Sequence, residues 1–316
     1  MEKNRQHTLN KTVSFAGVGL HSGKPVKMRV KPARESSGIT FYRTDKGVAV
    51  PALFHQIADT NLATTIAQDE VRIGTTEHLL AALHGMGIDN AVIELDSEEV
   101  PIMDGSAGAF VRLFDKVKLK KQQSRRLVAR IKKDIVYSNG DSELRLTPGN
   151  GFRINCSIDF SHALIQKQSL SLDLSPESFD REIARARTFG FLHEIDYLRK
   201  NGKALGGSLE NALVIDRDGL INEGGLRFSD EFVRHKMLDL IGDIALFGFP
   251  IQGHLTARKT GHKQHFQFLQ AIVANSDCWD LVEMKDDRTV KSENRKESHI
   301  LASPWEVSPA TSVCPL

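Results

Sequence analysis

The hydrophobic pattern is most regular between residues 229 and 247, where its spacing is that of an α-helix. One face of this predicted helix is apolar and consists of Val233, Met237, Leu240, Ile241 and Ile244. On the opposite face, His235, Asp239 and Asp243 follow one another every four residues. Ser229 is predicted to cap the first turn, and Gly248 is predicted to end the helix. An imidazole and a carboxylate therefore lie one helical turn apart.

A histidine four residues before an aspartate has two interpretations on such a helix. The first is a surface ion pair, which stabilises a helix by only about 0.2–0.5 kcal/mol. The second is a metal site, because side chains four residues apart lie about 5–6 Å from each other at Cβ and can bind one ion. On this helix alone the surface pair is the commoner explanation, so the choice depends on the rest of the chain.

Short β-like runs broken by Gly, Pro and Ser fill roughly the first 60 residues and return from about residue 127. Each half then has a histidine-bearing helix, a strand, a glycine-containing loop and another helix. In the first half this helix starts with Glu77 and His78, is capped by Thr75 or Thr76, and ends near Gly85 to Gly87. The repetition predicts an α+β fold with two domains of related topology, whose histidine-bearing helices face each other at the interface.

A polar stretch at residues 120–126 is interpreted as a linker between these domains. We therefore predict an N-terminal α+β domain over residues 1–122 and a C-terminal α+β domain over residues 127–282. Beyond them the charge density rises and the periodicity fades. Residues 283–316 are accordingly predicted to form a poorly ordered tail.

The composition argues against several classes of protein. The 316 residues carry a formal net charge of +2, which argues against nucleic acid as the main ligand. The three cysteines, Cys156, Cys278 and Cys314, offer neither a disulfide framework nor a thiolate zinc cluster, and this fits a reducing cytoplasm. No signal peptide or membrane-spanning run is recognisable, so a lipid ligand would have to bind in a groove or pocket.

His78 changes the balance between the two interpretations of the helix. Together with His235 and Asp239 it would supply two imidazoles and one carboxylate, a ligand set typical of catalytic zinc with one position left for water. The same nitrogen and oxygen ligands also suit iron(II). Glu77, beside His78, could take a proton from that water.

The leaving group of such a reaction also needs a proton. His262, on a Gly-His loop, could supply it, and Asp243 could orient that imidazole and stabilise its charged form. Lys236 lies off the ligand stripe and could meet an anion. Two non-enzymatic classes stay open on these residues, a metal-binding regulator and a nucleotide-sugar-binding module.

Six segments resemble, in order, the motifs of one enzyme family: GVGLHSG, TTEHLLAALHGMGIDN, PIMDGSA, RARTFGF, GLRFSDEFVRHKMLD and TGH. They resemble the UDP-3-O-acyl-N-acetylglucosamine deacetylases, zinc amidases of lipid A biosynthesis in Gram-negative bacteria, over roughly residues 8 to 275. The resemblance implies cleavage of the acetamide of a UDP-linked 3-O-acyl glucosamine to the amine and acetate. It also implies helices inside, sheets outside and the metal between the two domains.

The resemblance further implies a role for each site residue. The metal ligands would be His78, His235 and Asp239. The residues of the chemical step would be Glu77, His262, Asp243 and Thr188. The contacts to the nucleotide and sugar would come from His21, Phe160, Phe189, Lys236 and Lys259. An insert at about residues 190–220 would form a passage for the acyl chain, lined by Ile195, Ala204, Ala212 and Val214.

The partners expected from this resemblance are few. The substrate is a UDP-linked acylated glucosamine, and the protein is expected to be a monomer without a transmembrane segment. Transient contact with a membrane surface and recognition of the tail by proteases are compatible with the family.

Overall fold

The computed structural model describes residues 4–284 of the chain. It confirms the predicted α+β class, with two similar halves that each combine a sheet with helices. The α-helices of these residues are α1 (Glu77–Gly85), α2 (Gly108–Val117), α3 (Pro176–Glu182), α4 (Leu192–Lys200), α5 (Glu231–Ala245) and α6 (His262–Ala274). Short 3-10 helices occur at Phe54–Gln56 and Ser276–Cys278.

The strands fall into two groups along the chain. Those of the first half are β1 (Arg5–Leu9), β2 (Val13–Val18), β3 (Pro25–Pro32), β4 (Ile39–Arg43), β5 (Val48–Pro51), β6 (Ile57–Asp59), β7 (Thr65–Gln68), β8 (Val71–Ile73), β9 (Ala91–Leu95) and β10 (Leu119–Arg125). Those of the second half are β11 (Leu127–Ile131), β12 (Ile135–Asn139), β13 (Ser142–Thr147), β14 (Phe152–Asp159), β15 (Lys167–Asp173), β16 (Phe189–Phe191), β17 (Leu213–Asp216), β18 (Gly219–Leu220), β19 (Ile251–Arg258) and β20 (Trp279–Glu283).

The main sheet of the first half has the order β2-β3-β9-β4-β5, and only the β4 and β9 pair is parallel. Its strands alternate in burial, as β3 illustrates: Val26, Met28 and Val30 are buried, whereas the intervening Lys27 and Arg29 are exposed. Side chains of successive strand residues point to opposite faces, so this alternation leaves one face of the sheet in solvent and covers the other.

The main sheet of the second half has seven strands around the long strand β19. Its order is β12-β13-β19-β11-β20, and β14 pairs with both β19 and β15. Helix α5 contacts β14 and β15 of this sheet, α2 contacts β2 of the other sheet, and α1 packs against both helices. The helices thus form the layer between the two main sheets, as the resemblance implied.

Helices α1 and α5 approach each other closely because α5 carries a glycine at the crossing point. A Cβ atom added to Gly242 would lie 2.0 Å from the carbonyl oxygen of Glu77, far inside van der Waals contact. Any larger residue at position 242 would therefore push the first turn of α1 away from α5. The absence of a side chain at Gly242 therefore permits the N-terminal end of α1 to lie on the polar stripe of α5.

Two features of the chain differ from the prediction. The polar stretch interpreted as a linker is strand β10, which pairs with β1 in a two-stranded ribbon. Several of its lysine and glutamine side chains are exposed, which explains a linker-like composition in a segment whose backbone is paired. The cap of α5 is also different, because the cap position is Asp230 rather than Ser229 and the side chain of Asp230 makes no capping hydrogen bond.

Neither Thr75 nor Thr76 caps α1 with a side-chain hydrogen bond. Thr76 occupies the cap position, but its hydroxyl donates to the carbonyl oxygen of Thr64 at 3.1 Å. The hydroxyl of Thr75 donates instead to Glu99 Oε1 at 2.7 Å. Both threonines therefore connect α1 to neighbouring loops, and the helix end at Gly85 is as predicted.

The insert at about residues 190–220 contains β16, α4, β17 and β18. Its turn crosses to the first half, where the amides of Leu205 and Gly206 donate to the carbonyl oxygens of His21 and Leu20 at 3.1 and 3.0 Å. Within the described residues 4–284, no helix is long and apolar enough to cross a membrane. The predicted tail lies outside the described residues from residue 285 onward.

Candidate active site

The crossing of α1 and α5 brings three buried side chains together, one from the first half and two from the second. His235 Nε2 lies 3.2 Å from Asp239 Oδ1, and His78 Nε2 lies 3.6 Å from the same oxygen. The two imidazole rings are nearly perpendicular, with their centroids 5.0 Å apart. Each of the three residues offers one potential metal-binding atom, and these three atoms lie within 4.8 Å of one another. This is the grouping proposed from the sequence, and its spacing suits one ion.

The protonation of this group fits a divalent cation. Burial lowers the pKa of His235 to about 4, so its imidazole is neutral near pH 7. Burial alone would raise the pKa of Asp239, yet His235 and Lys236 hold it well below its usual value. His235 Nδ1 lies 3.2 Å from the carbonyl oxygen of Ala186, and donating its hydrogen there turns the Nε2 lone pair toward the carboxylate. A neutral imidazole and an ionised carboxylate that converge in this way are in the protonation states that metal binding requires.

Glu77 is the first residue of α1 and directly precedes His78. Its carboxylate is buried and accepts a hydrogen bond from the backbone amide of Thr64 at 3.0 Å. Burial raises the pKa of Glu77, although the nearby His262 and His78 oppose this shift. A carboxylate with a raised pKa beside a metal group is suited to accepting a proton.

His262 is the first residue of α6, and its Nδ1 lies 2.7 Å from Asp243 Oδ2. Asp243 lies one turn beyond Asp239 on α5, so the same helix positions the partner of His262 and a predicted metal ligand. Burial alone would lower the pKa of His262, but the carboxylate of Asp243 raises it to about 9. The imidazole is therefore a cation near pH 7 and holds a proton that it can donate.

Two residues of this region were not identified from the sequence. His265 Nδ1 also lies 2.7 Å from Asp243 Oδ2, and the hydroxyl of Thr64 donates to Asp243 Oδ1 at 2.6 Å. Asp243, His262 and His265 have a spacing that could hold a metal, but contacts of 2.7 Å are hydrogen bonds between the side chains themselves. His265 could have been identified from the sequence, because it follows His262 by three positions on one helix. No sequence pattern points to Thr64.

An aromatic pair lies beside the cluster of His78, His235 and Asp239. The ring centroid of Phe189 is 6.2 Å from that of His235 and 5.8 Å from that of Phe160. Lys236 Nζ is 5.6 Å from the Phe189 centroid and 2.9 Å from Asp239 Oδ2. Three of the predicted substrate contacts, Phe160, Phe189 and Lys236, thus lie close to the three-residue cluster.

His21 and Lys259 lie in different surroundings. His21 lines a pocket of about 210 Å³, and its buried Nε2 has no hydrogen-bond partner among residues 4–284. Burial lowers the pKa of this imidazole. Lys259 Nζ forms ion pairs with Asp159 at 2.9 Å and with Asp141 at 3.5 Å. Lys259 is therefore connected to the site only through Asp159, the residue before Phe160 of the aromatic pair.

Thr188 lies just before the insert, and the four predicted acyl-passage residues lie within it. The amide of Thr188 donates to the carbonyl oxygen of Gly105 at 2.8 Å, just after the segment whose Ala186 bonds to His235. Helix α4 packs on β16 and β17, and these elements carry Ile195 and the buried Val214. The remaining two residues flank the glycine-rich turn: Ala204, whose amide contacts His21 Nδ1 at 3.4 Å, and Ala212.

Comparison with known proteins identifies the family of the chain. The family model for UDP-3-O-acyl N-acetylglycosamine deacetylase matches residues 6–274. A relative named UDP-3-O-acyl-N-acetylglucosamine deacetylase from Myxococcus xanthus (strain DK1622) is 50% identical over 279 residues, covering 88% of this chain and 89% of the relative. Proteins of the same name from Syntrophotalea carbinolica and Pseudomonas entomophila are 46% and 45% identical, with 88% and 90% of this chain and 91% and 95% of theirs covered. The chain therefore belongs to the UDP-3-O-acyl N-acetylglycosamine deacetylase family.

Proposed function

We propose that this protein is a zinc-dependent deacetylase that hydrolyses the N-acetyl group of UDP-3-O-(3-hydroxyacyl)-N-acetylglucosamine. The products are the free amine and acetate, and the reaction is the committed step of lipid A biosynthesis. The observation that carries the proposal is the buried group of His78, His235 and Asp239, with Glu77 and His262 beside it. A metal-binding regulator would need the three ligands but not a neighbouring proton acceptor and proton donor, and a nucleotide-sugar-binding module would not need the metal.

The residues around the three ligands have separate tasks in this reaction. A divalent metal held by them would polarise the substrate carbonyl and lower the pKa of a water molecule. Glu77 accepts the proton of the attacking water, and His262 donates its proton to the nitrogen of the leaving amine. The hydroxyl of Thr188 donates to the developing oxyanion, a type of contact worth about 3–4 kcal/mol in other hydrolases.

The metal and the substrate contacts follow from the same residues. Zinc is the proposed metal because two imidazoles and a carboxylate are typical of catalytic zinc, and iron(II) is the alternative. Lys236, Lys259, His21 and the aromatic pair bind the UDP-sugar, and the insert encloses the acyl chain. The monomeric state, the cytoplasmic location, and the membrane and protease contacts stay predictions from the sequence.

The direct test is a product assay with the purified full chain and UDP-3-O-acyl-N-acetylglucosamine. Equal amounts of acetate and free amine are expected, measured by mass spectrometry and an amine-reactive dye. The same UDP-sugar without its acyl chain is expected to react much more slowly, because binding energy from remote parts of a substrate is used at the reacting centre. Binding of the acylated substrate without acetate release would instead identify a binding module.

The pH dependence of kcat is expected to be bell-shaped. On the acid side the rate falls when Glu77 takes up a proton, and because burial raises this pKa the fall begins above the usual value of 4.5. On the alkaline side the rate falls as His262 loses its proton, at about pH 9. Stopped assays from about pH 5 to about pH 10 measure both limbs, and a His262→Gln variant should lack the alkaline one. An unchanged alkaline limb in that variant contradicts the assignment of His262.

A further inference from the structure

The carboxylate of Asp243 is held on both of its oxygens by buried groups from two other segments. His262 Nδ1 and His265 Nδ1, both on α6, lie 2.7 Å from Oδ2. The hydroxyl of Thr64, in the segment before β7, donates to Oδ1 at 2.6 Å. Thr64 and His265 are each only 1% exposed. A carboxylate that accepts three hydrogen bonds cannot rotate without breaking at least one of them, so its orientation is fixed.

Thr64 uses every polar group it has in this region. Its amide donates to Glu77 Oε2 at 3.0 Å, and its carbonyl oxygen accepts from the amide and hydroxyl of Thr76 at 3.2 and 3.1 Å. Its hydroxyl donates to Asp243 on the other side and also lies 3.3 Å from His262 Nδ1. One residue therefore connects the proposed proton acceptor to the partner of the proposed proton donor. Its backbone holds the first, and only its hydroxyl holds the second.

His265 is a neutral donor in this network. Its Nε2 lies 3.0 Å from the hydroxyl of Thr260, which can donate to it when the ring hydrogen is on Nδ1. That tautomer directs the Nδ1 hydrogen at Asp243. Burial lowers the pKa of His265, which favours the neutral ring beside the charged His262. His265 thus shares Asp243 Oδ2 with His262 as a hydrogen-bond donor and adds no second positive charge.

We propose that Thr64 and His265 are positioning residues that hold Asp243, and through it the imidazole of His262, in one orientation. The inference rests on the proposed deacetylase function, in which His262 donates a proton to the leaving amine. A proton donor must lie within hydrogen-bond reach of the atom it protonates, and a misplacement of about 1 Å can reduce a rate by about 10²-fold. Neither Thr64 nor His265 is assigned a contact with substrate.

The first test compares Thr64→Val with Thr64→Ser in the metal-loaded enzyme. Valine keeps the backbone bonds to Glu77 and removes the hydroxyl, so kcat is expected to fall about 10- to 100-fold while KM changes less than about threefold. Serine restores the hydroxyl, and its kcat is expected within about threefold of the wild type. The matched control is Thr8→Val, which removes a buried hydroxyl bonded to the carbonyl of Asn90 at 2.7 Å and to the amide of Ala33 at 2.9 Å, on strand β1. It is expected to lower Tm but not kcat.

The second test compares His265→Leu with His265→Asn and does not depend on the folding of the Thr64 variants. The Asn amide can donate to Asp243 from the position of Nδ1, whereas leucine cannot. Leucine is expected to reduce kcat about 10- to 100-fold, and asparagine to retain most of it. An independent readout is the proton NMR spectrum of the protein without substrate. There the hydrogen-bonded Nδ1 proton of His262 is expected to shift or broaden in the valine and leucine variants and to be unchanged in the serine and asparagine ones.

The outcomes separate this inference from the proposed function. If the folded valine and leucine variants keep wild-type kcat and an unchanged His262 proton signal, the positioning role is wrong, although acetate release by the wild type still supports a deacetylase. If the wild type releases no acetate, the proposed function fails. The NMR comparison then still decides whether Thr64 and His265 hold the Asp243–His262 pair.

Discussion

Replacing Asp239 by asparagine is expected to reduce deacetylase turnover by about 10³-fold or more. Asparagine has nearly the same size, so the packing of α5 is retained. The substitution removes the only negative charge among the three ligands, and two neutral imidazoles hold a divalent cation much less tightly. A bound metal contributes several kcal/mol of charge stabilisation, and each 1.36 kcal/mol is about tenfold in rate.

Metal content and rate are measured together in this experiment. The wild-type protein is expected to carry one zinc per chain, to lose activity on treatment with a chelator, and to regain it when zinc is added. The Asp239→Asn variant should hold less metal after dialysis and recover little activity with added zinc. Asp230→Asn is the matched control, since Asp230 pairs with Arg234 at the start of the same helix. A fully active Asp239→Asn protein without bound metal contradicts the proposed centre.

The proximity of His235 and Asp239 on α5 could be predicted, because helix geometry alone puts residues four apart on one side. The inclusion of His78 could not be derived from helix geometry, since it depends on the packing of α1 onto α5. That packing requires Gly242, where any Cβ would collide with the carbonyl of Glu77. A glycine in the middle of a predicted helix is an unusual residue, and in retrospect it marks the contact between the two helices.

The hydrogen-bond network around Asp243 shows where sequence patterns carry no information. Thr64 and Asp243 are 179 residues apart in the chain, and no local period connects a threonine in a loop to a helix of the other half. His265 was open to prediction, because it follows His262 by three positions on one helix. The linker interpretation of residues 120–126 was wrong for a similar reason. The partner of strand β10 is β1, at the far end of the domain, and a polar strand without a local partner has the composition of a loop.

Replacing Glu77 by glutamine is expected to reduce kcat by about 10²- to 10⁴-fold, the range of a lost general base. Glutamine has the same shape, and its side-chain oxygen can still accept the hydrogen bond from the amide of Thr64. It cannot accept a proton from water. Zinc content and KM are therefore expected to be unchanged, and Tm should not fall, because a buried neutral amide costs less to desolvate than a buried carboxylate.

The Glu77→Gln measurement needs a carboxylate control outside the site. Glu94 on β9 pairs with Lys31 at 2.9 Å and with Arg29 at 2.7 Å, so Glu94→Gln changes the same charge in the outer sheet and should leave kcat unaltered. If Glu77→Gln keeps its zinc and more than about a tenth of wild-type kcat, another group must take the proton. A large fall in kcat with unchanged zinc content would show that Glu77 acts in proton transfer and not in metal binding. The two roles can be distinguished in this way because Glu77→Gln leaves the adjacent His78, the proposed ligand, unchanged.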